Sequence, residues 1–271
     1  MQVVLAPHSL ERDGCQIRYW TAGGVDRPLL VFTHGAWCDH HMFQAQLEVV
    51  AEHYDVLLWD VRGHGLSRPS TTRFSIRVAV ADVIAILDHL GRSHATFIGQ
   101  SMGGNISQEV LFLHPERVRA LVLIGCSCNT CNLSPLEQFS LRLVEPLLHL
   151  YPAEMLKQQS VRASAVKAEV QAYLKTAFNT YSKNELTAII LATTQAFHYE
   201  PKYQLRIPVL LTHGQFDATG NIRKHAPKWA GQMLNCQYVV IPEASHCANQ
   251  DNPTFFNALL LNFLQNNVSL I

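Results

Sequence analysis

Ser101 lies in the run Gly99-Gln100-Ser101-Met102-Gly103-Gly104. A serine hydroxyl is a poor nucleophile unless a base takes its proton and an acid orients that base. The run has the form G-x-S-x-G, in which small neighbours let a sharp turn hold the serine in strained backbone angles. Ala95–Gly99 before it reads as a strand and residues 102–114 after it as a helix. The serine Oγ would then project above a sheet edge, over a helix N-terminus whose free N–H groups favour negative charge. A serine in a glycine-rich turn is the plainer reading of the pentapeptide by itself. The strand–turn–helix placement favours the nucleophile.

The acid and base must come from elsewhere in the chain. After Ser101 the only aspartates are Asp217 and Asp251. Asp217 follows the apolar run Pro208–His213 in Gly214-Gln215-Phe216-Asp217, which places it at the carboxyl edge of a strand. His246 follows Gln237–Pro242 in Glu243-Ala244-Ser245-His246, at the same edge. His225 sits on a polar helical stretch and reads as a solvated surface residue. The order Ser101, Asp217, His246 then makes a nucleophile, an orienting acid and a general base. An oxyanion needs two N–H donors. Met102, directly after the nucleophile, supplies one, and Ala36 in His34-Gly35-Ala36-Trp37 is expected to supply the other, with Trp37 as the alternative. His34 reads as a loop organiser.

Two clusters could be mistaken for metal sites. Cys126, Cys128 and Cys131 lack a matching distant pair and read as ordinary buried or pocket thiols. Asp39-His40-His41 reads as a structural or pocket-rim group, because adjacent histidines seldom converge on one ion without further ligands. No metal and no cofactor is expected.

Positioning these residues at one edge requires a parallel sheet. Strand candidates are 15–21, Leu29–Thr33, Tyr54–Asp60, Ala95–Gly99, Val118–Gly125, Pro208–His213 and Gln237–Pro242. Several are nearly continuous Val, Leu, Ile and Phe, as strands covered on both faces are. Helical patterns fall at 75–90, 102–114, 221–233 and 252–266, the last opened by Asn252-Pro253. The alternation argues for an α/β protein with helices on both faces of an open, mostly parallel sheet. It breaks at 130–204, which holds about four helical stretches and two capping boxes, Ser134…Glu137 and Ser182…Glu185. That segment reads as a helical cap between the sixth and seventh strands, with 1–129 and 205–271 forming the core.

The chain has 271 residues, 48% of them hydrophobic and 15% charged, enough to build a large core without disulfides or metals. Lys plus Arg and Asp plus Glu are each 21, so no basic excess points to nucleic acid or an anionic membrane. Met1–Pro7 lacks the charge and the apolar length of a signal peptide, and seven cysteines is an odd number. These features lead to the expectation of a reduced, cytoplasmic protein that acts on a small molecule. A homodimer stays open.

Taken together, His34-Gly35, Asp60-Val61-Arg62-Gly63-His64-Gly65-Leu66-Ser67, Gly99–Gly104, His114-Pro115-Glu116-Arg117-Val118 and the Asp217 and His246 contexts resemble the α/β-hydrolase family over nearly the whole chain. The resemblance is to small bacterial members: esterases, enol-lactonases, carbon–carbon bond hydrolases and cofactor-free haloperoxidases. It implies the α/β-hydrolase fold, a structural turn at 62–67 with no catalytic role for His64, and serine chemistry. Epoxide hydrolases and haloalkane dehalogenases are similar but place aspartate where Ser101 stands. The expected activity is hydrolysis of a small, mainly apolar ester, lactone or thioester through an acyl-serine. Trp37, Cys126, Phe139, Leu143 and Phe197 are the expected pocket residues, and Arg142 and Arg162 are cations that could reach a carboxylate. Three alternatives stay open: carbon–carbon bond hydrolysis, lyase or oxygenase chemistry with His246 as a base, and a non-catalytic receptor.

Overall fold

The computed structural model describes residues 3–24 and 26–268. Met1 and Gln2 of the N-terminal reading lie outside them. The apolar runs become strands β2 (Cys15–Ala22), β3 (Leu29–Thr33), β4 (Asp55–Trp59), β5 (Ala95–Gln100), β6 (Val118–Ile124), β7 (Val209–Gly214) and β8 (Cys236–Ile241). Every residue of β3, β4, β5 and β7 is buried, which explains why these strands show no polar alternation.

One strand escapes the apolar pattern. β1 (Ala6–Arg12) is a half-exposed edge strand paired antiparallel with β2. Asp13 and Gly14, both at positive φ (46° and 73°), make the two-residue hairpin loop between Arg12 and Cys15. An Asp-Gly pair is a strong hairpin signal, whereas the polar strand it leads from carries little hydrophobic signal. With β1 counted, the helical insertion falls between the sixth and seventh strands.

The eight strands form one sheet in the order β1-β2-β4-β3-β5-β6-β7-β8. β1 pairs antiparallel with β2 and β2 antiparallel with β4, and all pairings from β4 to β8 are parallel. The carboxyl ends of β3, β5, β7 and β8 therefore share one edge, where ligands bind in open α/β sheets. Ten α-helices cover the sheet among the described residues: α1 (Gln44–Val50), α2 (Ile76–His89), α3 (Met102–Leu113), α4 (Pro135–Leu150), α5 (Ala153–Ser164), α6 (Ala168–Asn179), α7 (Lys183–Thr194), α8 (Ile222–Ala230), α9 (Ala248–Asp251) and α10 (Pro253–Asn267). Both capping boxes form, at the starts of α4 and α7. Asn252 caps α10, accepting the Phe255 N–H at 3.2 Å. No helix among the described residues is long and apolar enough to cross a membrane.

α3 lies so close to the sheet that Gly103 in its first turn has no room for a side chain. A Cβ on Gly103 would strike the Thr33 carbonyl at the end of β3, and one on Gly99 would strike the Gly103 backbone. Gly103→Ala should therefore cost about 1–3 kcal/mol of stability as α3 is forced off β3. Chemical denaturation measures this, and an unchanged midpoint would mean that the approach is not tight in solution.

Candidate active site

The turn between β5 and α3 holds Ser101 at φ 51°, ψ −117°, a region that side-chain-bearing residues seldom occupy. Such strain costs on the order of 1–3 kcal/mol and persists only where the surroundings impose it. Here they do: the Ser101 N–H donates to the Ile124 carbonyl of β6 at 2.8 Å, while its own carbonyl accepts the Gly104 N–H at 2.8 Å. The Ser101 side chain makes no capping bond to α3, which leaves the hydroxyl free for chemistry. Met102 opens α3, and the N–H of a first-turn residue has no acceptor within its own helix.

Asp217 and His246 meet beside the ends of β7 and β8. His246 Nδ1 donates to Asp217 Oδ2 at 3.0 Å, and both side chains are buried. Burial works to raise the Asp217 carboxyl. The facing His246 and the Thr219 N–H, which donates to Asp217 Oδ1 at 2.9 Å, outweigh it and hold the group below the ordinary carboxylate range. An anionic Asp217 fixes the proton on Nδ1 and leaves Nε2 as the basic nitrogen.

Ser101 and His246 line one cavity of about 250 Å³, together with Ala36, Trp37, Thr219 and residues of the inserted helices. Trp37, at φ 65°, donates its indole N–H to the Leu186 carbonyl of α7 at 3.2 Å and packs edge-on against Phe178 of α6. The loop after β3 is thereby tied to the inserted helices. His34 organises that loop from below. Fully buried, and with its basicity lowered by burial, it accepts the Val61 N–H on Nε2 at 3.0 Å and donates from Nδ1 to the Gly35 carbonyl at 2.7 Å.

The cavity also exposes two thiols to the same space, Cys38 and Cys247. Burial pushes both well above the ordinary thiol range. A buried thiol held protonated is a poor nucleophile, so neither competes with Ser101.

Several expected pocket residues lie elsewhere. Phe139 and Leu143 sit on the outward face of α4, 57% and 40% exposed. Their apolar stripe is real, but α4 turns Leu141, Val144 and Leu148 inward instead. Cys126 is buried against Gly104 and Gln108, and burial pushes its thiol up to about 12. Phe197 lines a second, larger cavity of about 850 Å³ between α4, residues 197–205 and α8, to which none of Ser101, Asp217 and His246 contributes. Ser101 and His246 both line the smaller cavity and neither lines the larger. Arg142 and Arg162 are exposed and reach neither.

Two further expectations change. Cys128 and Cys131 are joined by a disulfide, Cα–Cα 5.5 Å, so not all seven cysteines are reduced; a turn three residues long brings the pair within bonding range. His225 is only half-exposed and pairs with Glu137 at 2.7 Å. The side-chain donors of Asp39, His40 and His41 lie within 4.8 Å of one another. Internal bonds engage them: His40 Nδ1 with the buried Asp60 at 2.8 Å, and His41 Nδ1 with Asp39 at 3.1 Å.

Gln100 went unnoticed in the sequence. Its Nε2 donates to the His246 carbonyl at 3.1 Å, and its Oε1 fills the space left by the missing Cβ of Gly35. It thus spaces the base loop from the loop after β3.

Residues 28–253 match the model of the alpha/beta hydrolase fold family. The chain belongs to that family. Its relatives include 3-oxoadipate enol-lactonase 2 of Acinetobacter baylyi, 26% identical over 89% of this chain and 90% of that protein. Among solved structures, the enol-lactonase of Burkholderia xenovorans LB400 superposes with a TM-score of 0.80 at 21% identity, covering 95% of this chain and 99% of the other. A thermophilic esterase from Thermogutta terrifontis gives 0.81 at 20% identity, covering 99% and 100%. The named relatives are hydrolases, and this alpha/beta hydrolase is an enzyme of that class.

Proposed function

We propose that this alpha/beta hydrolase cleaves small, neutral, mainly apolar carboxylic esters, lactones or thioesters through an acyl-enzyme on Ser101. His246 Nε2 takes the Ser101 proton as Oγ attacks the carbonyl, and Asp217 stabilises the imidazolium. The N–H groups of Met102 and Ala36 receive the oxyanion. The proton then passes from His246 to the leaving oxygen or sulfur, and water activated by the same imidazole releases the acid. Residues 130–204 act as a cap that shapes the pocket, and 1–129 with 205–271 carry the chemistry. The observation that carries the reading is the strained Ser101 sharing one cavity with an imidazole already bound to a buried carboxylate. The lactonase relative supports an ester-type carbonyl as the target.

The cavity supports the substrate class. Its side chains include no lysine, arginine, aspartate or glutamate among the described residues, and Leu174, Phe178 and Ile190 supply apolar wall. An anionic acyl group would enter without a counter-ion, which costs heavily in a dry pocket. In a panel of p-nitrophenyl esters, acetyl and butyryl should exceed octanoyl in kcat/KM by about 10-fold or more, and succinyl should trail butyryl by at least as much. Phe178→Ala should re-rank chain lengths toward octanoyl by about 10- to 200-fold. A preference for succinyl, or an order untouched by Phe178→Ala, would contradict this substrate class.

A further inference from the structure

Asp251 ends α9 and is 1% exposed. No lysine or arginine pairs with it among the described residues; its partners are backbone N–H groups, one six residues before it and two from a distant segment. Oδ2 accepts from Ser245 at 2.8 Å. Oδ1 accepts from Val166 and Lys167, both at 3.0 Å. Val166 and Lys167 lead into α6, whose N-cap Lys167 makes no side-chain capping bond, so Asp251 holds the backbone at the start of the helix from across the fold.

Two more bonds join the same segments. Ser245 Oγ donates to the Ala163 carbonyl at 2.6 Å, and the Cys247 N–H donates to the Ser164 carbonyl at 2.8 Å. His246 lies between Ser245 and Cys247, and the α5 residues Ser160, Ala163 and Ser164 line the cavity that holds Ser101. The turn bearing the imidazole and one wall of the cavity are therefore bonded residue against residue.

We propose that Asp251 is a positioning residue: it locks the His246 turn and the α5–α6 corner into one body, so that the imidazole and the cavity wall keep a fixed separation. This rests on reading His246 as the general base. The inserted helices then cannot shift as a unit independent of the base. Any opening must occur on the α4 side, away from this corner. Asp251→Asn keeps the size of the group but turns an NH₂ toward N–H donors, which leaves buried donors unpaired.

The test measures kcat and KM on p-nitrophenyl butyrate, per active site titrated with a fluorophosphonate, so that misfolded protein is not counted. A displacement near 1 Å at a reacting group costs on the order of 100-fold. Asp251→Asn should lower kcat by about 100-fold with KM changed less than about threefold, because the apolar contacts of Trp37, Phe178 and Ile190 lie away from the clamp. Ser245→Ala removes only the Oγ bond and serves if the first variant does not fold; it should lower kcat by about 3- to 10-fold and add nothing in the Asp251→Asn background. Arg68→Ala is the control. It cuts a different tie to the inserted helices, the 2.6 Å pair with Glu185, and should leave kcat within about twofold. The proposal is overturned if Asp251→Asn and Ser245→Ala keep wild-type kcat per titrated site, or if Arg68→Ala lowers kcat as much as they do. Failure of the Ser101 reading looks different: the wild-type protein would not titrate at all.

Discussion

Ser101→Ala should lower kcat on small esters by about 10⁶-fold, the loss typical when a serine nucleophile is removed from an intact triad. The effect should fall on chemistry and not on the fold. The strained turn is held by backbone bonds to Ile124 and Gly104, and the hydroxyl caps nothing. An alanine at φ 51° carries the same strain as the serine did. Circular dichroism and the thermal midpoint should stay near those of the wild type, while pre-steady-state kinetics lose the burst that marks acyl-enzyme formation. A folded alanine variant that still hydrolyses esters at a measurable fraction of the wild-type rate would move the chemistry off Ser101. A base-only reaction at His246 would then regain its place.

Asp217→Asn should lower kcat by about 10⁴-fold with little change in KM. The carboxylate accepts from His246 Nδ1 and from the Thr219 N–H. The amide that replaces it offers one acceptor and one donor. If its oxygen keeps the Thr219 bond, its NH₂ faces Nδ1 and favours the tautomer with the proton on Nε2. That imidazole cannot take the Ser101 proton. Labelling of Ser101 by a fluorophosphonate should slow in step with kcat, because both need the same base. If hydrolysis by Asp217→Asn stayed within tenfold of wild type, Asp217 would be a structural neighbour of His246 and not its orienting partner.

The central parallel strands were legible because burial on both faces writes itself as unbroken apolar sequence, as in Leu29–Thr33. β1 was not, because Ala6–Arg12 is half-exposed and only Asp13-Gly14 marks its hairpin. The placement of Ser101, Asp217 and His246 was legible for a different reason: each falls in the turn that follows a readable strand, so chain order and strand ends put all three at one edge. The pocket was not. α4 carries apolar residues on two faces, and nothing in its own sequence says that Leu141, Val144 and Leu148 turn inward while Phe139 and Leu143 do not. Gln100 and Asp251 were invisible for a related reason. Their partners are main-chain groups at His246, Val166 and Lys167, and main-chain groups leave no trace in residue identity. The Cys128–Cys131 bridge had a local signal in its C-x-x-C spacing, but the same spacing suits a metal site and does not single out a disulfide.

The most direct test of the account is to treat the protein with a fluorophosphonate and locate the adduct by peptide mass spectrometry. One adduct per chain is expected, on the peptide containing Gly99–Gly104 and at Ser101, with complete loss of ester hydrolysis at full labelling. An adduct on any other serine that accompanies loss of activity, or full activity in protein stoichiometrically labelled at Ser101, would contradict it.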